Sequence, residues 1–394
     1  MHTADAAPAA DGAAPADGSA AAPGSGYGRE AVLPGSRRLP ERPGFTSPYP
    51  VSVAPMMDRT DKFFRWFLRQ ITPNTLLYSE MVSTGAIVHG DRERHLGFFP
   101  EEKPLALQLG GSDPAEVGEA VRIAEDWDYD EVNLNVGCPS DRVQHRGIGA
   151  CLMADPPRVA QLVEVMRANT RKPVTVKHRI GIDGRESFEE LCEFVDVVAR
   201  AGVERLTVHA RIAILEGLSP KDNRNVPPLR YEDVYRLKCE FPELEIEING
   251  HIGSVADIRG HLQQVDAVML GRAAYDNPYL FADIEREIFG GAAGAAAAGA
   301  AGGAMDAAGA SGAGAGAGAV WQAPSRAEVI ARTIEFLETR WRDDFPRAPL
   351  GHLMGLYHGM PGARRWRGTI STELAAGTAP AEVLRRAQEV LPKI

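Results

Sequence analysis

The stretch EIEINGHIGSVADIRGHLQQVDAVMLGR, residues 245–272, decides the reading of the fold. Two short apolar and β-branched runs, Glu245–Ile248 and Ala267–Leu270, stand at its two ends. Between them Ser254-x-x-Asp257 has the form of a capping box, so the unit reads strand, helix, strand. Working outward, the same rhythm recurs at Val51–Pro55, Leu77–Val82, Leu105–Leu109, Glu131–Val136, Val174–His178 and Leu206–His209. Asp113-Pro114 opens one intervening helix, and Ser187 opens another that runs to Ala201 and stops at Gly202. Eight strands over about 240 residues predict an α/β fold, a (β/α)8 TIM barrel. A doubly wound open sheet would carry G-x-G-x-x-G after its first strand, and none is there.

In a barrel the functional site lies where the strands end. The residues at those positions are Met56-Met57-Asp58, Glu80, Gln108, Asn133 and Asn135, Lys177 and Arg179, His209 and Arg211, Asn249, and Gly271-Arg272. Such a lining suits a hydrogen-bonding, negatively charged ligand. The loops after the last two strands, Asn249-Gly250-His251-Ile252-Gly253 and Leu270-Gly271-Arg272, have the form of a phosphate cradle: glycines admit the backbone and Arg272 adds charge. Alone, Gly271-Arg272 would read equally well as an ordinary turn. Lys177 rises from Val174-Thr175-Val176 and must find a partner or lose its proton. It either pairs with a barrel carboxylate such as Glu80 or faces an electron-rich cofactor ring. His209 reads as a satisfied core histidine or as a member of the same site.

Composition bounds the class. The 394 residues hold 43 Lys and Arg against 53 Asp and Glu, net −10, which excludes a uniformly basic coat. No run of about 18 apolar residues suggests a membrane span. The acidic start, with Asp5, Asp11 and Asp17 ahead of Arg29, fits neither a signal nor a transit peptide, so a soluble cytoplasmic protein is expected. Residues 1–46, rich in Ala, Pro, Gly and Asp, predict a disordered tail. A Gly/Ala-rich linker is expected at 291–321, where Gly and Ala fill 26 of the 30 positions 291–320. The segment 322–394 has eleven Lys and Arg against eight Asp and Glu, so the basic excess gathers at the C-terminus.

Four cysteines are too few for a disulfide scaffold and suit a reducing compartment. Cys151, Cys192 and Cys239 read as small buried hydrophobes. Cys138 differs, because Gly137 and Pro139 flank it at a strand end. That turn presents an accessible thiol whose acidity Arg142 or Arg146 could tune, and it could attack as thiolate or donate a proton as thiol.

Ala54-Pro55-Met56, Leu107-Gln108-Leu109-Gly110-Gly111, the run Asn133 to Gln144 centred on Cys138, Gly149-Ala150-Cys151-Leu152-Met153 and Gly217-Leu218-Ser219-Pro220-Lys221 closely resemble the tRNA-dihydrouridine synthases, in their A-type branch. The resemblance covers about residues 47–290 and resumes at about 323–370. It implies a barrel (47–290) holding FMN, a small all-α tRNA-binding domain (322–394), and NADPH as electron donor. The substrate would be uridine 20 of the tRNA D-loop, with position 20a open. Carried over by position, Ala54, Pro55, Met56, Gln108, Lys177, His209, Asn249, Gly250, His251, Gly271 and Arg272 would hold FMN. Cys138 would be the general acid, and Asn135, Lys221, Arg224, Arg364 and Arg367 would meet tRNA. Neither a metal, a membrane nor an obligate protein partner is implied, and a monomer is the default. The chain departs from the family pattern in four places. His251 stands where a second Gly is usual, Gln144-His145-Arg146-Gly147-Ile148-Gly149 alters the loop after Cys138, Gly351 replaces a basic residue, and the Gly/Ala-rich stretch is an insertion.

The chemistry so implied is conjugate reduction of the uracil C5=C6 bond, with hydride from N5 of reduced FMN to C6 and a proton to C5 from the Cys138 thiol. The target base would first have to leave its stack. Three other readings remain: a flavin barrel acting on a free pyrimidine, a tRNA-folding chaperone with incidental catalysis, and a colourless aldolase-like barrel with Lys177 as Schiff base.

Overall fold

The computed structural model describes residues 46–290, 321–340 and 349–392. Except for residues 46 and 321, the expected tail and linker lie outside these. The strands are β1 (Val51–Val53), β2 (Leu77–Tyr78), β3 (Val82–Ser83), β4 (Leu105–Gly110), β5 (Glu131–Val136), β6 (Val174–Arg179), β7 (Arg205–His209), β8 (Glu245–Asn249) and β9 (Ala267–Leu270). They pair in parallel in the order β1-β9-β8-β7-β6-β5-β4-β2. The ring closes through Leu76, which forms a parallel bridge to Ser52 and exchanges main-chain bonds with Val51 and Val53 at 3.2 and 2.9 Å. This is an eight-position parallel barrel with helices outside.

The second position is broken where one strand, Leu77–Val82, was expected. β2 pairs with Leu105 and Ala106 and β3 with Leu109 and Gly110, leaving Ser79-Glu80-Met81 between them. The Ser79 hydroxyl accepts the Gln108 N–H at 3.0 Å and so replaces one rung of the ladder.

The helices start where the caps predict. Asp113 accepts from Glu116 N ahead of Pro114–Ala124, and Ser187 and Ser254 close capping boxes with Glu190 and Asp257. Helix Phe188–Arg200 ends before Gly202, whose φ of +105° favours glycine.

Alternation along each strand sorts the side chains. Val174, Val176 and His178 of β6 face the helices, with the His178 ring 4.9 Å from that of Phe194, whereas Thr175, Lys177 and Arg179 point into the barrel. The interior is polar on this side, while Ala54, Leu76, Tyr78, Ala106 and Met269 form a small apolar cluster of their own. At its floor Arg205, fully buried, lies 2.5 Å from Glu131, 3.7 Å from Glu245 and 3.8 Å from Glu247. Thr175, Asn133, Gln108 and Asn135 climb from Glu131 in a chain of side-chain bonds of 2.5–2.8 Å. This ladder fixes the orientation of Gln108 and Asn135 at the top.

The C-terminal helices Arg326–Thr339, Ala363–Ala375 and Pro380–Glu389, with the 3-10 segment Pro349–Gly355, pack on the barrel through helix Lys62–Arg69. Trp66 and Phe336 rings meet at 4.1 Å, and His352 Nε2 lies 3.1 Å from Asp61, the cap of that helix. Gly355 is required there: a Cβ would sit 2.7 Å from the carbonyls of Tyr275 and Asp276. Among the described residues no helix is long and apolar enough to cross a membrane.

Candidate active site

The carboxyl ends of the strands enclose a cavity of about 550 Å³. Ala54, Pro55, Met56, Gln108, Asn135, Cys138, Lys177, His209, Arg224, Asn249, Gly250, His251, Gly271 and Arg272 all line it. Lys221, Arg364 and Arg367 do not. Lys221 is exposed just outside, and Arg364 and Arg367 lie exposed one turn apart at the start of helix Ala363–Ala375. Arg59, Met81 and Asp276 also line the cavity and had been given no role. Arg179, expected among the polar strand ends, lines it too, as the next inward position after Lys177 on β6.

Asn135 shapes the Cys138 turn. Its Oδ1 accepts the N–H groups of Gly137 and Cys138 at 3.1 and 3.0 Å, while its Nδ2 donates to Gln108 at 2.8 Å. The carbonyl of Cys138 accepts from Ala150 N at 2.9 Å, and a side chain at Gly149 (φ +80°) would strike that carbonyl. Gln144 ties the altered loop down by donating to Pro139 O and Leu215 O at 2.9 and 3.2 Å. The backbone of the turn that carries the thiol is thus tied down at Gly137, Cys138 and Pro139.

Burial pushes the Cys138 thiol above its ordinary value, and the Ser140 N–H and the Arg179, Arg224 and Lys177 charges offset this only in part. Arg142 and Arg146, expected to tune it, are exposed. A thiol so raised stays protonated near neutrality, which suits donation over attack. Of the other cysteines Cys192 is buried as expected, whereas Cys151 and Cys239 are half-buried.

Lys177 does not meet Glu80. Its Nζ donates to Asn249 Oδ1 at 3.1 Å, and Asn249 Nδ2 is anchored on Met269 O at 2.8 Å. The Glu80 carboxylate keeps one buried oxygen without a partner, and burial raises its pKa. Burial and then Arg179 pull Lys177 down to about 8, so at pH 7 it is still mostly charged. Burial first, then Arg179, Lys177, Arg211 and Arg272, hold His209 well below its ordinary value and keep it neutral.

The last two loops form the expected concave rim. Gly250 has φ +137°, and a Cβ there would crowd Leu229 and His209 at 3.0 and 3.2 Å. His251 takes φ +53° without glycine, a left-handed turn that histidine tolerates at modest cost. Nothing lies within 4 Å of a Cβ built on Gly271, so the backbone there is open to a ligand. Arg272 spans the rim, donating to Asn225 Oδ1 at 2.8 Å and Arg224 O at 3.3 Å. Arg59, Lys177, Arg179, Arg224 and Arg272 share this lining with a single carboxylate, Asp276, which makes the cavity a site for anions.

The dihydrouridine synthase (Dus) family model matches residues 52–391, spanning barrel and C-terminal helices together. The chain belongs to the dihydrouridine synthase family. Among its relatives a protein of Synechocystis sp. is 53% identical over 86% of this chain and 93% of its own. One of Pseudomonas aeruginosa is 49% identical over 86% and 94%, and one of Escherichia coli O6:H1 is 45% identical over 87% and 96%. Each of the three is named tRNA-dihydrouridine(20/20a) synthase. Family membership removes the aldolase reading.

Proposed function

We propose that this dihydrouridine synthase reduces the C5=C6 bond of uridine in the tRNA D-loop, at position 20 and, after the naming of its relatives, also 20a. The observation that carries the reading is a half-buried thiol at Cys138, its pKa raised by desolvation, facing a cation-lined cavity with an open Gly271-Arg272 rim. The donor set fits a flavin mononucleotide. A phosphate would find Arg272 and the backbone of residues 249–253 and 271, and an electron-rich ring would find the Lys177 ammonium and the fixed Gln108 amide. FMN, when bound and reduced by NADPH, supplies the hydride that C6 receives.

The chain's own residues do the rest. Cys138 Sγ gives its proton to C5 as the C5–H bond forms, and the thiolate left behind is stabilised by Arg179, Arg224 and Lys177. Asn135 holds the turn that aims the sulfur, so its effect on substrate passes largely through Cys138. Lys177 is held by Asn249 and balances negative charge. Neutral His209 packs beside Gly250 and can share a hydrogen bond without adding charge. Lys221, Arg364 and Arg367 would meet phosphates of a folded RNA, a role their exposure outside the cavity supports, with the cytoplasm as the place of action.

The test is a purified protein with flavin absorption at about 370 and 450 nm. It should bleach with NADPH and recover anaerobically only on adding unmodified tRNA, with dihydrouridine mapped to the D-loop. Recovery with free uracil or uridine instead would favour the free-pyrimidine reading. A Cys138→Ala protein that retains the full cellular function would favour the chaperone.

A further inference from the structure

The end of β6 carries a guanidinium in an unusual setting. Arg179 is 3% exposed, yet among the described residues no carboxylate pairs with it, and two of the charges acting on it, Arg224 and Arg211, are cations like itself. A buried cation without a counter-ion is costly unless its N–H groups are hydrogen-bonded. Those of Arg179 go to main-chain carbonyls. Nε donates to Gly137 O at 3.1 Å, and Nη1 donates to Ile212 O and Asn223 O, both at 2.9 Å.

These carbonyls belong to two loops more than 70 residues apart in sequence. Gly137 precedes Cys138. Ile212 and Asn223 bracket the segment bearing Lys221 and adjoin Arg224. Asn223 in turn closes that segment on itself through Ile214 N, Ile214 O and Leu218 O, at 2.8, 2.8 and 3.1 Å. Gln144 backs the same joint from the other side by reaching Pro139 O and Leu215 O. The guanidinium serves the two loops from two different nitrogens held in one plane, a fork that the single nitrogen of a lysine does not reproduce.

We propose that Arg179, backed by Gln144, is a positioning residue that locks the proton-donating turn of Cys138 and the loop presenting Lys221 and Arg224 into one unit. RNA-facing cations and thiol then hold one separation, so a uridine seated by the first is already aligned with the second. This rests on the roles proposed above for Cys138, Lys221 and Arg224.

The experiment is amide hydrogen exchange on the flavin-loaded full chain without RNA, paired with flavin reoxidation by tRNA. In Arg179→Lys, which keeps the charge, amides of 137–140 and of 212–226 should exchange at least tenfold faster together, with β4 and β5 unchanged. Reoxidation by tRNA, normalised to the flavin bound, should drop at least tenfold, chiefly in kcat. Faster exchange in one segment only, or in neither, overturns the proposal, as does an unchanged reoxidation rate. Should Arg179→Lys not fold, Gln144→Ala must loosen both segments together, and loosening of only one is equally fatal. The exchange measurement needs no RNA, so a parent protein inert toward tRNA would refute the functional reading and leave this proposal to be decided by exchange alone.

Discussion

Replacing Cys138 by alanine should remove one proton and almost nothing else. The turn is held by Gly137 N and Cys138 N on Asn135, by Ala150 N on the Cys138 carbonyl, and by Arg179 on the Gly137 carbonyl. None of these bonds uses sulfur, so the variant should fold, bind flavin and accept hydride from NADPH as the parent does. A positioned general acid contributes 10²–10⁴-fold, and the tRNA-dependent step should lose that factor, about 3–5 kcal/mol of barrel-built stabilisation. Stopped-flow absorbance separates the two half-reactions: bleaching by NADPH keeps its rate, and recovery on tRNA slows by at least 100-fold.

The protonation state adds a second condition. Burial raises the thiol, so the competent form persists through the ordinary thiol range and is lost only as pH rises beyond it. Site-resolved alkylation of Cys138 by iodoacetamide should therefore show a midpoint above that of an ordinary exposed cysteine. Recovery within threefold of the parent in Cys138→Ala, or a thiol that titrates below neutrality, would refute the assignment of Cys138 as acid.

Three further outcomes are expected. Arg272→Ala removes one charge-assisted phosphate contact, of about 1.5–3 kcal/mol, so flavin should dissociate roughly ten- to a hundredfold more readily, read as flavin fluorescence released on dilution; an affinity within twofold of the parent would show the phosphate lies elsewhere. Arg364→Ala with Arg367→Ala should flatten the dependence of tRNA affinity on log salt by roughly 0.7–0.9 per lost phosphate contact while leaving NADPH-driven bleaching intact; an unchanged slope removes that helix from the RNA surface. Such point substitutions are preferable to deleting 322–394, because Phe336 covers Trp66 and the deletion would bare apolar surface of the barrel. Glu245 is pushed up to about 7 by burial despite Arg205 beside it. The folded state therefore holds a proton that the unfolded chain gives up between its ordinary value and pH 7, so this group lowers stability as pH rises through that window. Glu245→Gln should leave the melting temperature at pH 4 unchanged and raise stability at pH 8 by about 1–3 kcal/mol; equal effects at both pH values would refute the linkage.

What could be read in advance was local. Glu131–Val136 and Ala267–Leu270 form strands over the residues anticipated, and Ser187 and Ser254 cap the helices they were expected to cap. Strand periodicity and capping depend on neighbours a few residues away, so the chain states them directly. The convergence of Gln108, Cys138, Lys177, His209, Asn249 and Arg272 on one cavity follows once the strands are parallel and closed. The break at Ser79 had no local mark, because the competing bond comes from Gln108 on another strand.

The chain's own order of residues thus decided the barrel, the ring of polar strand ends and the singular cysteine. Tertiary structure alone decided that Lys177 leans on Asn249 rather than Glu80, that the thiol keeps its proton, and that Arg179 binds two distant loops. It also decided that the last helices lie against helix Lys62–Arg69. Each of these turns on water excluded from a group by residues remote in sequence. Desolvation and long-range carbonyl contacts are properties of the folded neighbourhood, and no local pattern encodes them.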